Sequence, residues 1–348
     1  MIRKRHLIIL GAAAVILSAL TVFLAATDRW KGTDSPAAGK YLLQGFNPEK
    51  VYGIQILSSQ YAIQFKRFGD SFIITTRYGY PAANEKMNEL LGLLTDIQSV
   101  EKVTSQKQNH ESLGVTVDQG ATVIRLFDEV DRKMAGIVIG KRSEGAPGKY
   151  IRLEDDDTVY ISSKVIPPIS FAYTDYIQKQ LFSANPKEYS KLSVSTNPDH
   201  YAIDIRDGGG LLSSLPRGAR QDEQRVDDIL TTSLDLKIKN VFKKEDLKDL
   251  RFDTKLQLVK RDRTVYQFDF AERGDRCYMK AAAEYSKPAG EIIIYKDESQ
   301  HSLKTKESLL LARDRAVAFN KTHEKWVYEV DPRYRKVLLT SQSKLARK

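Results

Sequence analysis

Apolar and polar positions alternate along much of the chain, and Gly, Pro and Asn clusters break the alternation into short runs. Runs of period two predict strands over residues 61–67, 72–77, 122–128, 136–140, 149–153 and 158–162. A second series covers 201–206, 255–260, 265–270, 276–281 and 291–295. Phe68-Gly69-Asp70-Ser71 reads as the hairpin connection between the first two strands. Beyond Pro81 a helix opens near Asn84, where Met87, Leu90, Leu91, Leu94 and Ile97 keep the three-to-four spacing of one buried face. Another starts near Asp222 and buries Val226, Ile229, Leu230 and Leu234, and residues 303–319 also read as helical.

Three junctions look alike. Asn47-Pro48, Asn185-Pro186 and Phe319-Asn320 each place an asparagine at a turn before an alternating strand, and the asparagines lie 138 and 135 residues apart. A long fixed period implies duplication, with repeat domains at 46–184 and 185–319. Each is expected to be mostly antiparallel sheet with one principal helix. The expected class is α+β: an N-terminal transmembrane helix followed by two tandem repeats.

Residues 7–26 carry no charge and follow Arg3-Lys4-Arg5. Twenty residues at 1.5 Å each suffice to cross a bilayer core, so membrane lipid is an expected partner of this segment. The basic flank, residues 1–6, is expected to stay in the cytoplasm with the bulk of the chain outside. The location is then the cytoplasmic membrane, single-pass, with a periplasmic body if the cell has an outer membrane. A cleaved signal peptide is the alternative; the run exceeds the usual 7–15-residue apolar region, although Ala25-Ala26 suits a small-residue cleavage site. Residues 27–45 read as a spacer, and 320–348 as a closing strand and a basic tail whose last turn, 341–348, is expected to be frayed.

The net charge of +10 invites a nucleic-acid reading, but its distribution removes it. Residues 1–31 hold five basic and one acidic side chain, and 332–348 hold six basic and none acidic. That leaves 44 of each between residues 32 and 331. A formally neutral body lacks the basic face of a nucleic-acid binder, so no nucleic-acid partner is expected. The composition is that of an ordinary globular chain. One cysteine, Cys277, excludes an internal disulfide or a cysteine-based zinc cluster.

Motifs for chemistry are few. His6, His110, His200, His301 and His323 are scattered without metal spacing. Residues 140–149 hold glycines and lysines but not in phosphate-loop order. Glu154-Asp155-Asp156-Asp157 offers oxygen ligands for a hard cation, yet it sits between two strands and suits a solvated turn. Gly208-Gly209-Gly210 reads as a loop. No catalytic, cofactor-binding or metal-ligating residue is assigned, and no cofactor is expected.

The order of features resembles a bacterial family described only as a domain of unknown function. The resemblance spans most of residues 41–340. It rests on Gly69-Asp70-Ser71-Phe72, Pro81-Ala82-Ala83-Asn84, Leu113-Gly114-Val115, Ile139-Gly140, Gly148-Lys149-Tyr150-Ile151-Arg152-Leu153 and Thr158-Val159-Tyr160-Ile161. Phe72 stands where tryptophan is common in that family, and Asn84 where aspartate is. The resemblance implies one membrane segment before the repeats and a neighbourhood with gliding-motility-type ABC transporter components. The expectation is a non-enzymatic, membrane-anchored extracytoplasmic accessory or scaffold protein, with ABC permease or auxiliary subunits as partners. An envelope glycan- or lipid-binding module without transporter contact is the alternative, and an envelope hydrolase with converging carboxylates a third.

Overall fold

The computed structural model describes residues 39–196, 199–215, 218–286 and 292–347. In chain order the elements begin with β1 (Lys40–Tyr41), β2 (Gly53–Leu57), β3 (Ala62–Phe68), β4 (Ser71–Ile74), β5 (Tyr80–Pro81) and α1 (Asn84–Thr95). Next come β6 (Gln98–Thr104), β7 (Thr122–Phe127), β8 (Lys133–Arg142), β9 (Lys149–Leu153), β10 (Val159–Ser162) and β11 (Gln180–Ser183). Then follow β12 (Tyr189–Thr196), β13 (His200–Arg206), β14 (Gly209–Leu212), β15 (Arg220–Gln221), α2 (Glu223–Leu234) and β16 (Asp235–Lys243). The chain closes with β17 (Thr254–Lys260), β18 (Thr264–Arg273), β19 (Arg276–Tyr285), α3 (Gln300–His323), β20 (Trp326–Val330), α4 (Pro332–Leu338) and β21 (Ala346–Arg347).

The α+β expectation gives way to a mostly antiparallel fold of two large sheets with few helices. Strands that alternation did not reveal make the difference. The strand β6 is largely exposed and polar, so it carries no period-two signal. β16 starts at Asp235, the residue directly after the end of α2, so a helical period runs straight into it. The segment expected as a helix across the membrane, 7–26, lies outside the described residues. Among the described residues no helix is long and apolar enough to cross a membrane.

Two compact units form, and both are discontinuous along the chain. Of the described residues, the first comprises 39–51, Ile56–Tyr61 and Leu91–Ile169; the second comprises Tyr52–Gln55, Ala62–Leu90 and those from Ser170 to 347. Their limits do not coincide with the expected 46–184 and 185–319.

In the first unit the strand order is β1-β6-β10-β9-β8-β7. Lys40 and Tyr41 pair with Ser99 and Gln98, so the described part of the expected spacer is built into the sheet. Val115, Ala121, Val123, Val138 and Val159 form a buried cluster, with Leu57, Leu113 and Tyr150 packed against it. In the second unit the sheet order is β11-β16-β20-β19-β18-β17-β12-β13-β14. Its first six members recur in the order of the first unit, each label raised by ten. Leu247, Ala271, Tyr278 and Val327 form a buried cluster there.

The residues expected to be buried on α1 and α2 are all buried. Asp222 caps α2 through the Arg225 amide. Two expectations fail for steric reasons. The triple glycine is not a loop: Gly209 and Gly210 belong to β14, and a Cβ at Gly210 would meet Val226 at 2.8 Å and Ile203 at 2.9 Å. The missing side chain lets α2 lie close on the strand. The tail is not frayed either. Leu345 is fully buried, Arg220 and Gln221 pair with Arg347 and Ala346, and Arg347 bridges Asp222 at 2.9 Å. Residues 292–295, expected within a strand, form none.

Candidate functional site

In the first unit the acidic turn between β9 and β10 gathers charge from three directions. Arg125 Nε donates to Glu154 Oε1 at 2.9 Å and its Nη2 donates to the same oxygen at 2.7 Å. Lys133 reaches Glu154 Oε2 at 3.3 Å and Asp155 Oδ1 at 2.6 Å. The Arg125 hydrogen bonds hold the Glu154 carboxyl below the usual carboxylate range. Asp156 Oδ1 accepts the Thr158 amide at 2.9 Å, and that backbone bond depresses its pKa as well. Asp157 lies 3.5 Å from Lys107, and its carbonyl oxygen sits 2.9 Å from His110 Nε2. Arg152 Nη1 donates to the carbonyls of Leu153 and Glu154, each at 3.0 Å, which fastens the turn's backbone. Gly136 leaves room for this arrangement, because a Cβ there would meet Glu154 Oε2 at 2.5 Å.

Asp155 and Asp156 also line the wall of a cavity of about 530 Å³, together with Phe46, Gln44, Lys50 and Met134. Its volume falls in the range of small-molecule sites, and its lining mixes an aromatic ring with amide, ammonium and carboxylate groups. Two carboxylates on one wall raise the glycosidase possibility, since that chemistry uses a carboxylate pair. The reaction also requires one of the pair to stay protonated as general acid. Here the Thr158 backbone bond holds the Asp156 carboxyl below the usual carboxylate range, the opposite of what a general acid needs. The wall therefore suits binding of hydroxyl or cationic groups. Among the described residues no group of three or more His, Cys, Asp or Glu side chains has the geometry to hold a metal ion.

The second unit contains an arrangement that the sequence did not announce. Arg77 follows β4 in a short 3₁₀ turn, and its guanidinium donates twice to the Val241 carbonyl. The same group lies over the rings of Tyr173, Phe242 and Tyr78, with centroids at 4.6, 5.0 and 5.1 Å. Tyr78 donates to Asp246 Oδ2 at 2.9 Å, while Tyr173 donates to Asn240. A delocalised cation stacked on three rings and bonded to a carbonyl clamps 75–78 onto β16. The usable signal is the crowding of cation and rings in Arg77-Tyr78-Gly79-Tyr80, where alternation reaches only as far as residue 77.

The histidines serve separate local roles. His110 is buried on the acidic turn, and His301 is exposed on α3. His323 Nδ1 lies 2.8 Å from the Tyr328 hydroxyl, and burial pushes its pKa down to about 4. Burial also pushes Tyr80 up to about 12. His200 Nδ1 meets Ser195 Oγ at 3.0 Å across paired strands. That distance suits a nucleophile and base. The pair is exposed, however, and among the described residues no carboxylate orients the imidazole. Cys277 is buried, and burial raises its thiol to about 11, far from a reactive thiolate. His6 lies outside the described residues.

The fold and its paired polar groups thus define an antiparallel two-sheet protein rich in internal salt links. The chain belongs to the family described as Domain of unknown function (DUF4340), which matches residues 73–255. Compared with curated proteins and with solved structures, it matches none.

Proposed function

We propose that this protein is a non-enzymatic accessory or scaffold protein of the extracytoplasmic side, held at the cytoplasmic membrane by the uncharged run 7–26. Its partners are permease or auxiliary subunits of an ABC-type transport system, as the family resemblance implies. The observation that carries the non-enzymatic reading is the use to which the chemically capable side chains are put. Glu154, Asp155, Asp156, Arg125 and Arg77 each bind a neighbour that positions backbone or sheet. Groups spent in this way support surfaces rather than turnover. Crosslinking in native membranes followed by identification of the captured chains tests the reading. Recovery of permease subunits is expected; their consistent absence overturns it.

The cavity beside Phe46 favours a second reading, an envelope glycan- or lipid-binding module. A ring, two amides and two carboxylates around about 530 Å³ suit a sugar's apolar face and hydroxyls. Retained binding to envelope material in a preparation that captures no transporter subunit would select this alternative.

A further inference from the structure

We propose that the cavity at the turn between β17 and β18 binds a phosphate-bearing ligand. Its volume is about 520 Å³, within the range of small-molecule sites. Lys260, Arg261 and Arg263 line it, and among the described residues no carboxylate does. Val259 and Val265 stand directly opposite each other on the two strands, both half-buried, and add an apolar patch to the wall. A register shift between Tyr189 and Lys191 bulges β12 at Ser190, which also lines the cavity. Bulges of this kind are enriched beside active sites, where they re-aim side chains.

The carboxylates near the turn are occupied elsewhere. Asp262, between the two arginines, is buried: its Oδ2 accepts Arg315 Nη2 of α3 at 2.8 Å and its Oδ1 accepts the Thr264 amide at 3.0 Å. Lys260 is countered as well, 3.0 Å from Glu188 and 3.7 Å from Asp262. Arg261 is not countered. Its Nε donates to the Lys187 carbonyl at 2.9 Å and its Nη2 to the Ile205 carbonyl at 3.2 Å, and among the described residues it forms no ion pair. Two neutral acceptors thus fix the guanidinium without cancelling its charge. Arg263 lies at φ 69°, in the left-handed region. Strain of that kind in a non-glycine residue clusters at ligand sites. A guanidinium's planar, paired donors match phosphate oxygens. A phosphate presents oxygens on several sides and can meet both arginines, whereas a carboxylate presents one edge. Glu284 is the acidic neighbour, exposed and directly opposite Val265 on the adjoining strand.

The test titrates the full chain, in a neutral detergent at low salt, with glycerol 3-phosphate and with a short-chain phosphatidylglycerol, read by calorimetry. Saturable binding is expected, weakening as salt rises. Arg261→Gln and Arg263→Gln should each lower the affinity by about tenfold or more, the factor for losing one charge-assisted contact. Glu284→Gln should raise it by about two- to fivefold, because a nearby like charge is removed from an exposed position. Arg261→Gln also gives up two carbonyl bonds, so melting is recorded for every variant; the other two substitutions leave those bonds in place. Tighter binding of the lipid would assign the site to a lipid headgroup, and tighter binding of glycerol 3-phosphate to a soluble phosphate. Binding of neither carrier would overturn the proposal. So would affinity that survives both arginine substitutions, affinity that drops only in a variant whose melting transition drops with it, or weaker binding in Glu284→Gln.

Discussion

At the scale of single residues, charge is spent on holding turns and sheets in place. Glu154 is the clearest case, with Arg125 and Lys133 both on its carboxylate. Glu154→Gln keeps the shape and removes the charge, leaving Arg125 half-buried with a weaker partner. A loss of about 1–3 kcal/mol in unfolding free energy is expected, measured by denaturant melts. Because the folded carboxyl titrates below its unfolded value, its contribution is present above about pH 4.3 and fades as pH falls through the folded value. The variant should therefore lose less stability than the parent on acidification. His323 works in the opposite chemical sense. Its unfolded imidazole gains a proton near pH 6.5, whereas the folded ring resists until about 4. The unfolded state thus binds more protons in between, so stability falls as pH drops from about 6.5 to about 4 and levels off below. The difference corresponds to at most about 3 kcal/mol. His323→Phe should flatten that slope in melts taken across the window.

At the scale of elements, the three similar asparagines show what the sequence could and could not convey. Asn47 and Asn185 act alike: each accepts an amide two residues on, from Glu49 at 2.9 Å and Lys187 at 3.1 Å, ahead of a proline-led 3₁₀ turn. Local pattern was enough to find them, because the cap is made within three residues. Asn320 shares the spacing but not the role. It sits inside α3 and bonds the backbone of β19, a partner 37 residues away that no local pattern reveals. The two roles predict different costs. Asn185→Ala should lose about 0.5–2 kcal/mol, the range for a capping residue. Asn320→Ala also strands both backbone groups of Ala283, so it should lose about 1–3 kcal/mol for each group left unmet. Thermal melts of the two variants should rank in that order. The helices followed the same logic. Faces of α1 and α2 were legible because burial imposes a period, whereas β14 and the docked 341–347 segment depend on what packs against them.

At the scale of the whole molecule, two large antiparallel sheets carry long stretches of surface on frameworks whose polar groups are occupied internally. Alternation located most of the strands but not the clamp at Arg77 or the cavity beside Phe46, since both arise from residues distant in sequence. The central claim is that function depends on the folded surfaces and not on the carboxylates of the cavity wall. Leu94 is fully buried, so Leu94→Ala should cost about 2–5 kcal/mol against a domain stability of roughly 5–15 kcal/mol. Asp155→Asn combined with Asp156→Asn keeps the side-chain volumes and removes both charges from the wall. The deciding measurement is partner recovery by native-membrane crosslinking for these two variants, with melting recorded on the same preparations. The account predicts that recovery falls with the folded fraction for Leu94→Ala and stays at the parent level for the paired aspartate variant. Loss of recovery in the aspartate variant, with its melting transition unchanged, would contradict it.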